Sequence, residues 1–245
     1  MLALSAVSGH LARQWGYQMC RNLTVLVWLA TLASGCAATI DGKLGGRDVP
    51  RLGSANFGTA DTGGIAGLAA IAAGADACRV GAGVVDLNAQ ALNSGASENE
   101  DVRNGFLRRE VEFLNENVSV GSWGINVFAF ADDDDEFLRA SVEFEDQESP
   151  FVILTVCEQT SRASEDGRGG VDTGQDCFKA VSGDASFELS SDQSSLVVTS
   201  AGGLQFDDDT GDGAGTIDLN ASFSRCPEID AATAEWLDEI VAAAP

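Results

Sequence analysis

Short segments in which apolar and polar residues alternate are the feature that most constrains the fold of this chain. Alternation places one set of side chains in a core and the other in water, which is typical of a half-buried β-strand. It is clearest from Trp123 to Phe130 and from Phe137 to Phe144, whereas Phe151 to Cys157 is almost wholly apolar, as expected of a central strand. Further short apolar segments lie between Gly, Ser or Asp turns at Phe178–Leu189, Leu196–Thr199, Leu204–Phe206 and Gly215–Phe223. The pattern predicts an all-β fold, an antiparallel β-sandwich or barrel-like domain over residues 47–226.

The first half of that domain is also predicted to be β-structure. Val84 to Leu92 alternates in the same way, and Phe106 to Leu114 belongs to the same central group of apolar segments. The run from Ile65 to Val80 is rich in alanine and has helical propensity, but Gly67 and Gly74 interrupt it. Its second half is interpreted as a buried strand that leads into Cys78, and the polar segment 94–104 as a loop.

Residues 227–245 are predicted to form a C-terminal amphipathic helix. Asp230 is the expected N-cap, and Trp236 lies on the apolar stripe of this helix. We interpret Trp236 as a core anchor and not as a ligand platform.

The charge balance excludes one large class of partners. The 245 residues include 14 Lys and Arg against 38 Asp and Glu, a formal charge of -24. Such a surface repels phosphate backbones, and no cluster of basic residues offsets it, so nucleic-acid binding is not expected. Adaptation to high salt and a cation-binding role both remain open as reasons for the acidity.

The N-terminal 36 residues differ in charge from the rest, since they contain Arg13 and Arg21 but no acid. An apolar stretch follows Arg21 and ends at Leu32-Ala33-Ser34-Gly35-Cys36, which is too short to span a bilayer. This ending resembles the lipobox of bacterial lipoproteins, with Leu32 one position further from the cysteine than in the commonest form. The resemblance implies a signal peptide over residues 1–35, with the start of translation expected at Met19, and lipidation of Cys36.

The same resemblance assigns the anchor and the location. It implies a lipid anchor at Cys36, and Ala37 after the cysteine implies an outer-membrane lipoprotein facing the periplasm or the exterior. The Gly-rich composition that follows predicts that residues 36–46 are the anchor and a flexible tether. Two acyl signals give stable attachment where a single chain is marginal. An ordinary signal peptide, cut at a site such as the one after Ala38, is the alternative.

Four cysteines remain beyond the leader and the anchor, and we expect them to form two disulfides in an oxidising compartment. We favour Cys157–Cys177, which would close a short Gly-, Ser- and Asp-rich loop, and Cys78–Cys226, which would join an early strand to the last one. Four cysteines allow three pairings, and the sequence does not choose among them. A zinc site is the alternative, but neither a CxxC pair nor a histidine supports it.

The residue types missing after Cys36 exclude several chemistries. His10 is the sole histidine and Tyr17 the sole tyrosine of the whole chain, and both precede the anchor. Catalysis through a Ser-His-Asp triad or a His-ligated metal is therefore excluded from the mature chain. No catalytic residue, metal ligand or cofactor is predicted.

Two acidic segments have a cation site as their alternative interpretation. Asp132 to Asp135 is predicted to be a solvated hairpin tip. Asp207, Asp209 and Asp218 have the spacing of positions 1, 3 and 12 of an EF-hand, but Gly211 occupies a ligand position. This second segment is therefore predicted to be a Gly-rich hairpin turn rather than a calcium loop.

Ser182 to Cys226 is similar to the C-terminal hairpins of small Gram-negative envelope lipoproteins, a resemblance that implies no activity. The predicted function is a lipid-anchored, non-catalytic binding or structural module of the cell envelope. Its partner is the membrane, through the anchor, and an envelope protein or glycan that the sequence does not identify. The alternative is a carboxylate-dependent hydrolase of polysaccharides, which requires two facing carboxylates in an aromatic-lined cleft.

Overall fold

The computed structural model describes residues 38–62, 64–95, 100–131, 139–144, 151–165, 171–208 and 210–243. In chain order its strands are β1 (Ala38–Leu44), β2 (Arg47–Asp48), β3 (Ser54–Thr62), β4 (Ile65–Ala73), β5 (Trp123–Ala131), β6 (Arg139–Glu143), β7 (Phe151–Gln159), β8 (Ser164–Glu165), β9 (Val171–Asp172), β10 (Gln175–Leu189), β11 (Ser195–Asp207) and β12 (Gly213–Arg225). Its helices are α1 (Ala77–Gly95), α2 (Glu100–Asn117) and α3 (Pro227–Ala243).

Seven strands close into a barrel in the order β3, β4, β5, β7, β10, β11 and β12. The last residues of β12 complete the ring by pairing in parallel with β3, Ser224 opposite Asn56 and Arg225 opposite Phe57. The other neighbours in the ring are antiparallel. Barrel-like β-structure is therefore confirmed. The predicted sandwich is wrong, because β12 joins both ends of the sheet and leaves no two separate sheets to stack.

Two long strands bend at glycines, which allows the sheet to curve into a barrel. The pairing of β10 with β11 shifts register around Gly183, and that of β11 with β12 shifts between Thr199 and Leu204. Gly183, Gly202 and Gly203 have φ values of 99°, 89° and 86°, which residues other than glycine rarely adopt. The two segments predicted at Leu196–Thr199 and Leu204–Phe206 are consequently one strand with a bulge.

The described interior of the barrel is packed with side chains. Phe57, Phe206 and Phe223 are among its fully buried residues, and they belong to one continuous apolar cluster with aliphatic residues of the other strands. A barrel of about this strand number has an interior just wide enough for side chains to fill it. Any larger ligand site must therefore lie outside this interior.

A second apolar core lies between the outer wall of the barrel and the helices. Ala69 and Ile71 of β4 pack there with Val85 of α1 and with Ile229 and Trp236 of α3. Trp236 is in ring contact with Phe128 and Phe130 of β5, which confirms it as a core anchor. Strand β4 is thus covered on both faces, by the barrel interior and by the helices.

The predicted strands at Val84–Leu92 and Phe106–Leu114 are wrong, because these segments belong to helices α1 and α2. Val85 and Ala89 lie four residues apart, and both are buried on the same side of α1. The strand predicted to lead into Cys78 ends instead at Ala73, and α1 begins at Ala77. Helix α1 also extends to Gly95 and α2 begins at Glu100, so most of the predicted loop at 94–104 is helical.

The predicted tether at 36–46 is wrong from Ala38 onward, because residues 38–44 form β1. This strand pairs antiparallel with β12, from Ala38 opposite Ala221 to Gly42 opposite Ile217. Ala38, Ile40 and Leu44 are buried, so the segment packs into the barrel core. Apolar side chains at alternate positions explain why it is a strand despite its glycines.

The C-terminal helix is confirmed, but its N-cap is not Asp230. The helix begins at Pro227, and the carbonyl of Cys226 accepts hydrogen bonds from the N–H groups of Ile229 and Asp230 at 3.1 and 3.0 Å. The Asp230 carboxylate instead accepts a bond of 2.8 Å from the N–H of Thr59. None of the described helices is long and apolar enough to cross a membrane.

Candidate functional site

A cavity of about 290 Å³ lies between the barrel wall and the helical hairpin formed by α1 and α2. Its floor is the end of β4 and the start of β5, with Ile71, Gly124 and Asn126 among the lining residues. Val80 and Val84 of α1 form one side, and Leu114 and Asn117 of α2 form another. Cys157, Gln159 and Gln175 of β7 and β10 also line the cavity.

The cavity follows from the way in which the chain connects β4 to β5. These two strands are antiparallel neighbours, yet α1 and α2 are inserted between them in place of a short turn. Helix α1 packs against β3, β4 and α3, whereas α2 packs mainly on α1 and reaches β8. Because α2 rests on another helix and not directly on the barrel wall, a space remains beneath its C-terminal end.

No charged side chain contributes to the described lining of this cavity. Apart from Cys157, which is in a disulfide, and Trp123, whose ring packs in the barrel interior, the lining residues carry aliphatic, amide or hydroxyl side chains or are glycines. The whole chain, in contrast, carries a formal charge of -24. The cavity is therefore a neutral and mainly apolar site in an acidic protein.

Most of the amides around the cavity are already hydrogen-bonded. The Nε2 group of Gln159 donates to the carbonyls of Ser161 and Thr173, and its Oε1 accepts a bond from Gln175. The Asn117 amide donates to the carbonyl of Phe113 and accepts a hydrogen bond from Arg79. These groups position the loops and helices around the cavity.

Asn126 is the exception among these amides. It lies on the outer face of β5, opposite Ile71 of β4 and Thr155 of β7. Within the described part of the chain no residue hydrogen-bonds its side chain, although the residue is half-buried. A half-buried amide without a protein partner is available to a ligand.

An ion pair and a hydrogen bond connect the two helices at the rim of the cavity. Arg79, in the first turn of α1, donates from Nε to Asp76 at 2.8 Å and from Nη1 to Asn117 at the end of α2. Asp76 precedes α1 with a φ of 50°, and its carbonyl accepts the N–H of Val80 at 3.1 Å. The start of α1 is thereby linked to the end of α2.

Both predicted disulfide pairings are confirmed. Cys157 and Cys177 are directly opposite on β7 and β10, and their Cα atoms are 4.1 Å apart. Cys78 and Cys226 join the start of α1 to the residue before α3, with a Cα separation of 5.7 Å. The first disulfide borders the cavity, and the second links two helices of the outer layer.

Two other clusters contain charged side chains that are already paired. Arg47 forms ion pairs with Glu158 at 2.6 Å and Asp176 at 2.7 Å, and its guanidinium lies 5.7 Å from the ring centre of Trp123. A smaller cavity of about 190 Å³ contains Arg225, which is bonded to Asp230. Both guanidinium groups are therefore already paired with carboxylates of the protein.

The acidic hairpin between β11 and β12 is a turn stabilised by one of its own carboxylates. Oδ1 of Asp208 accepts hydrogen bonds from the N–H and hydroxyl of Thr210 and from the N–H of Asp212. These bonds, above all from the Thr210 hydroxyl, hold the pKa of Asp208 below its usual value. The predicted hairpin turn is confirmed, although Asp209 lies outside the described residues.

Several predicted features lie outside the described residues, including Cys36 and the run Asp132–Asp135. Neither Asn126 as a site residue nor the cavity as a whole was predicted from the sequence. The alternation around Asn126 correctly predicts that its side chain points away from the barrel interior. It gives no sign that two helices cover that face, because the sequences of both helices also fit strands.

Comparison with protein-family models, curated proteins and solved structures finds no match.

Proposed function

We propose that the chain is a lipid-anchored protein of the cell envelope that acts as a non-catalytic binding module, with the cavity beneath α2 as its binding site. The observation that carries the binding role is that the described residues lining this cavity include no charged side chain. A concave, mainly apolar site with a few polar groups is typical of ligand pockets, and its volume is near the lower end of their range.

The same lining favours binding over catalysis. General acid-base chemistry needs an ionisable side chain within hydrogen-bond reach of the substrate, and glycoside hydrolysis needs two carboxylates. The described residues around the cavity supply amides and hydroxyls, which orient a ligand but do not titrate near neutral pH. The hydrolase alternative has no comparable support at this site.

The envelope location rests on the leader and on the disulfides. Leu32-Ala33-Ser34-Gly35-Cys36 supplies the lipidation pattern, and two disulfides are typical of an oxidising compartment. Lipidation at Cys36 would leave only Ala37 between the anchor and β1.

The anchor is tested by changing Cys36→Ser and following the protein through fractionation and fatty-acid labelling. We expect loss of the label and release from membranes, because the thiol is the proposed attachment point. Cys20→Ser is the matched control, since it alters a leader cysteine outside the lipobox, and we expect it to retain label and membrane association. Membrane association and labelling of Cys36→Ser at the level of the control would contradict the anchor.

A further inference from the structure

We infer that the cavity beneath α2 binds a neutral, mainly apolar molecule of about the size of a substituted aromatic ring, whose one polar group pairs with the Asn126 amide. This inference rests on the proposed function and specifies its ligand. It follows from the volume of the cavity, the absence of charge from its described lining and the lack of a hydrogen-bond partner for the Asn126 side chain among the described residues.

The volume sets the size of the ligand. A closed apolar cavity of about 150 Å³ is sufficient for benzene. At about 290 Å³, the present cavity has room for such a ring with a polar substituent. Its aliphatic walls, from Ile71, Val80, Val84 and Leu114, provide contacts suited to an apolar ring.

The lining sets the charge of the ligand. An anion would lose hydration in this cavity without meeting a cationic side chain, and it would also approach through the negative field of the acidic surface. A cation would be attracted by that field but would find no described carboxylate within the lining. A neutral molecule avoids both penalties.

Asn126 sets the position of the polar group. Its side chain offers one carbonyl acceptor and two N–H donors, and no described residue uses them. A carboxamide presents the complementary donor and acceptor together. Pairing with it would satisfy the asparagine while the ring occupies the apolar part of the cavity.

Methyl NMR on the full chain with Cys36→Ser, which avoids detergent, tests this inference with three probes: benzamide, benzoate and toluene. We expect millimolar benzamide to shift the methyl signals of Ile71, Val80, Val84 and Leu114. Benzoate, similar in shape but charged at neutral pH, should bind at least tenfold more weakly. Toluene should bind without depending on Asn126.

Two variants locate the site. Asn126→Leu should weaken benzamide binding by about three- to tenfold, the usual worth of one hydrogen bond, and leave toluene binding intact. Asn220→Leu is the matched control, because Asn220 is an exposed asparagine on β12. Gly124→Leu should abolish binding of both probes: a Cβ at Gly124 meets only the Ala72 carbonyl, at 3.4 Å, so a larger side chain has space to enter the cavity.

The outcomes separate the ligand class from the binding role. Equal binding of benzoate and benzamide, or an Asn126→Leu variant that matches Asn220→Leu, would overturn the inferred ligand class while leaving a binding cavity. Absence of methyl shifts with every probe, or shifts that persist in Gly124→Leu, would overturn both the inference and the binding role proposed for this cavity.

Discussion

Glycines at a few positions determine how closely the helices approach the barrel. A Cβ added to Gly67 of β4 would lie 2.8 Å from Cδ2 of Leu237 in α3, and one added to Gly81 of α1 would lie 2.8 Å from Cδ1 of Ile229. Both distances are shorter than the van der Waals contact of two non-bonded carbon atoms. The absence of side chains at these glycines therefore allows α3 to pack closely against β4 and α1.

We predict that Gly67→Ala lowers the free energy of unfolding by about 1–3 kcal/mol, because the added methyl group overpacks the contact of β4 with Leu237 of α3. Gly105→Ala is the matched control. Gly105 is exposed on α2, and a methyl group added there would have no atom within 4 Å, so the same change should stabilise the helix by about 1 kcal/mol. Urea denaturation with intact disulfides measures both, and two effects of the same sign would contradict the packing account.

The two disulfides connect elements in different ways, and their contributions to stability should differ. Cys78 and Cys226 are 148 residues apart, whereas Cys157 and Cys177 are 20 apart. Loop-closure entropy assigns about 5 kcal/mol to the longer loop and about 3 kcal/mol to the shorter one. Replacing each pair by alanines and measuring urea unfolding should give the larger loss for Cys78 and Cys226, and the reverse order would reject this explanation.

Elements whose hydrophobic pattern fits only a strand or only a helix could be predicted from the sequence. Elements whose pattern fits both could not. Strand β5 alternates over its whole length, and the stripe of α3 fits only a helix. Val85 and Ala89 fit a strand when Leu87 is counted with them, but they also lie one helical turn apart. Only the surface against which they pack, the outer wall of β4, decides in favour of α1.

The candidate site could not be predicted for the same reason. Its floor belongs to strands that the sequence predicts, but its sides belong to α1 and α2, whose patterns also fit strands. A cavity forms where two packed helices or strands leave a gap between them. Hydrophobic periodicity predicts only which residues are buried and gives no information about such gaps. The favoured disulfide pairs proved correct, although Cys78 lies at the start of α1 and not at the end of the predicted strand.

At the scale of the whole molecule, the barrel and the proposed anchor are linked through β1, which pairs with β12 beside the closed ring. Ala38 is fully buried and paired with Ala221, and Cys36 is two residues earlier in the chain. Successive Cα atoms are about 3.8 Å apart, so a lipid attached to Cys36 would be joined to β1 by no more than two residue spacings. A lipid on Cys36 would consequently hold the folded domain directly at the membrane surface.

The most direct test of the account is the native mass of the protein extracted from envelope membranes. We predict a chain that begins at Cys36, carries covalent acyl groups and retains a neutral small molecule that the Gly124→Leu variant lacks. A chain without acyl groups, or identical ligand-free masses for the original protein and the variant, would contradict the proposal of a lipid-anchored binding module.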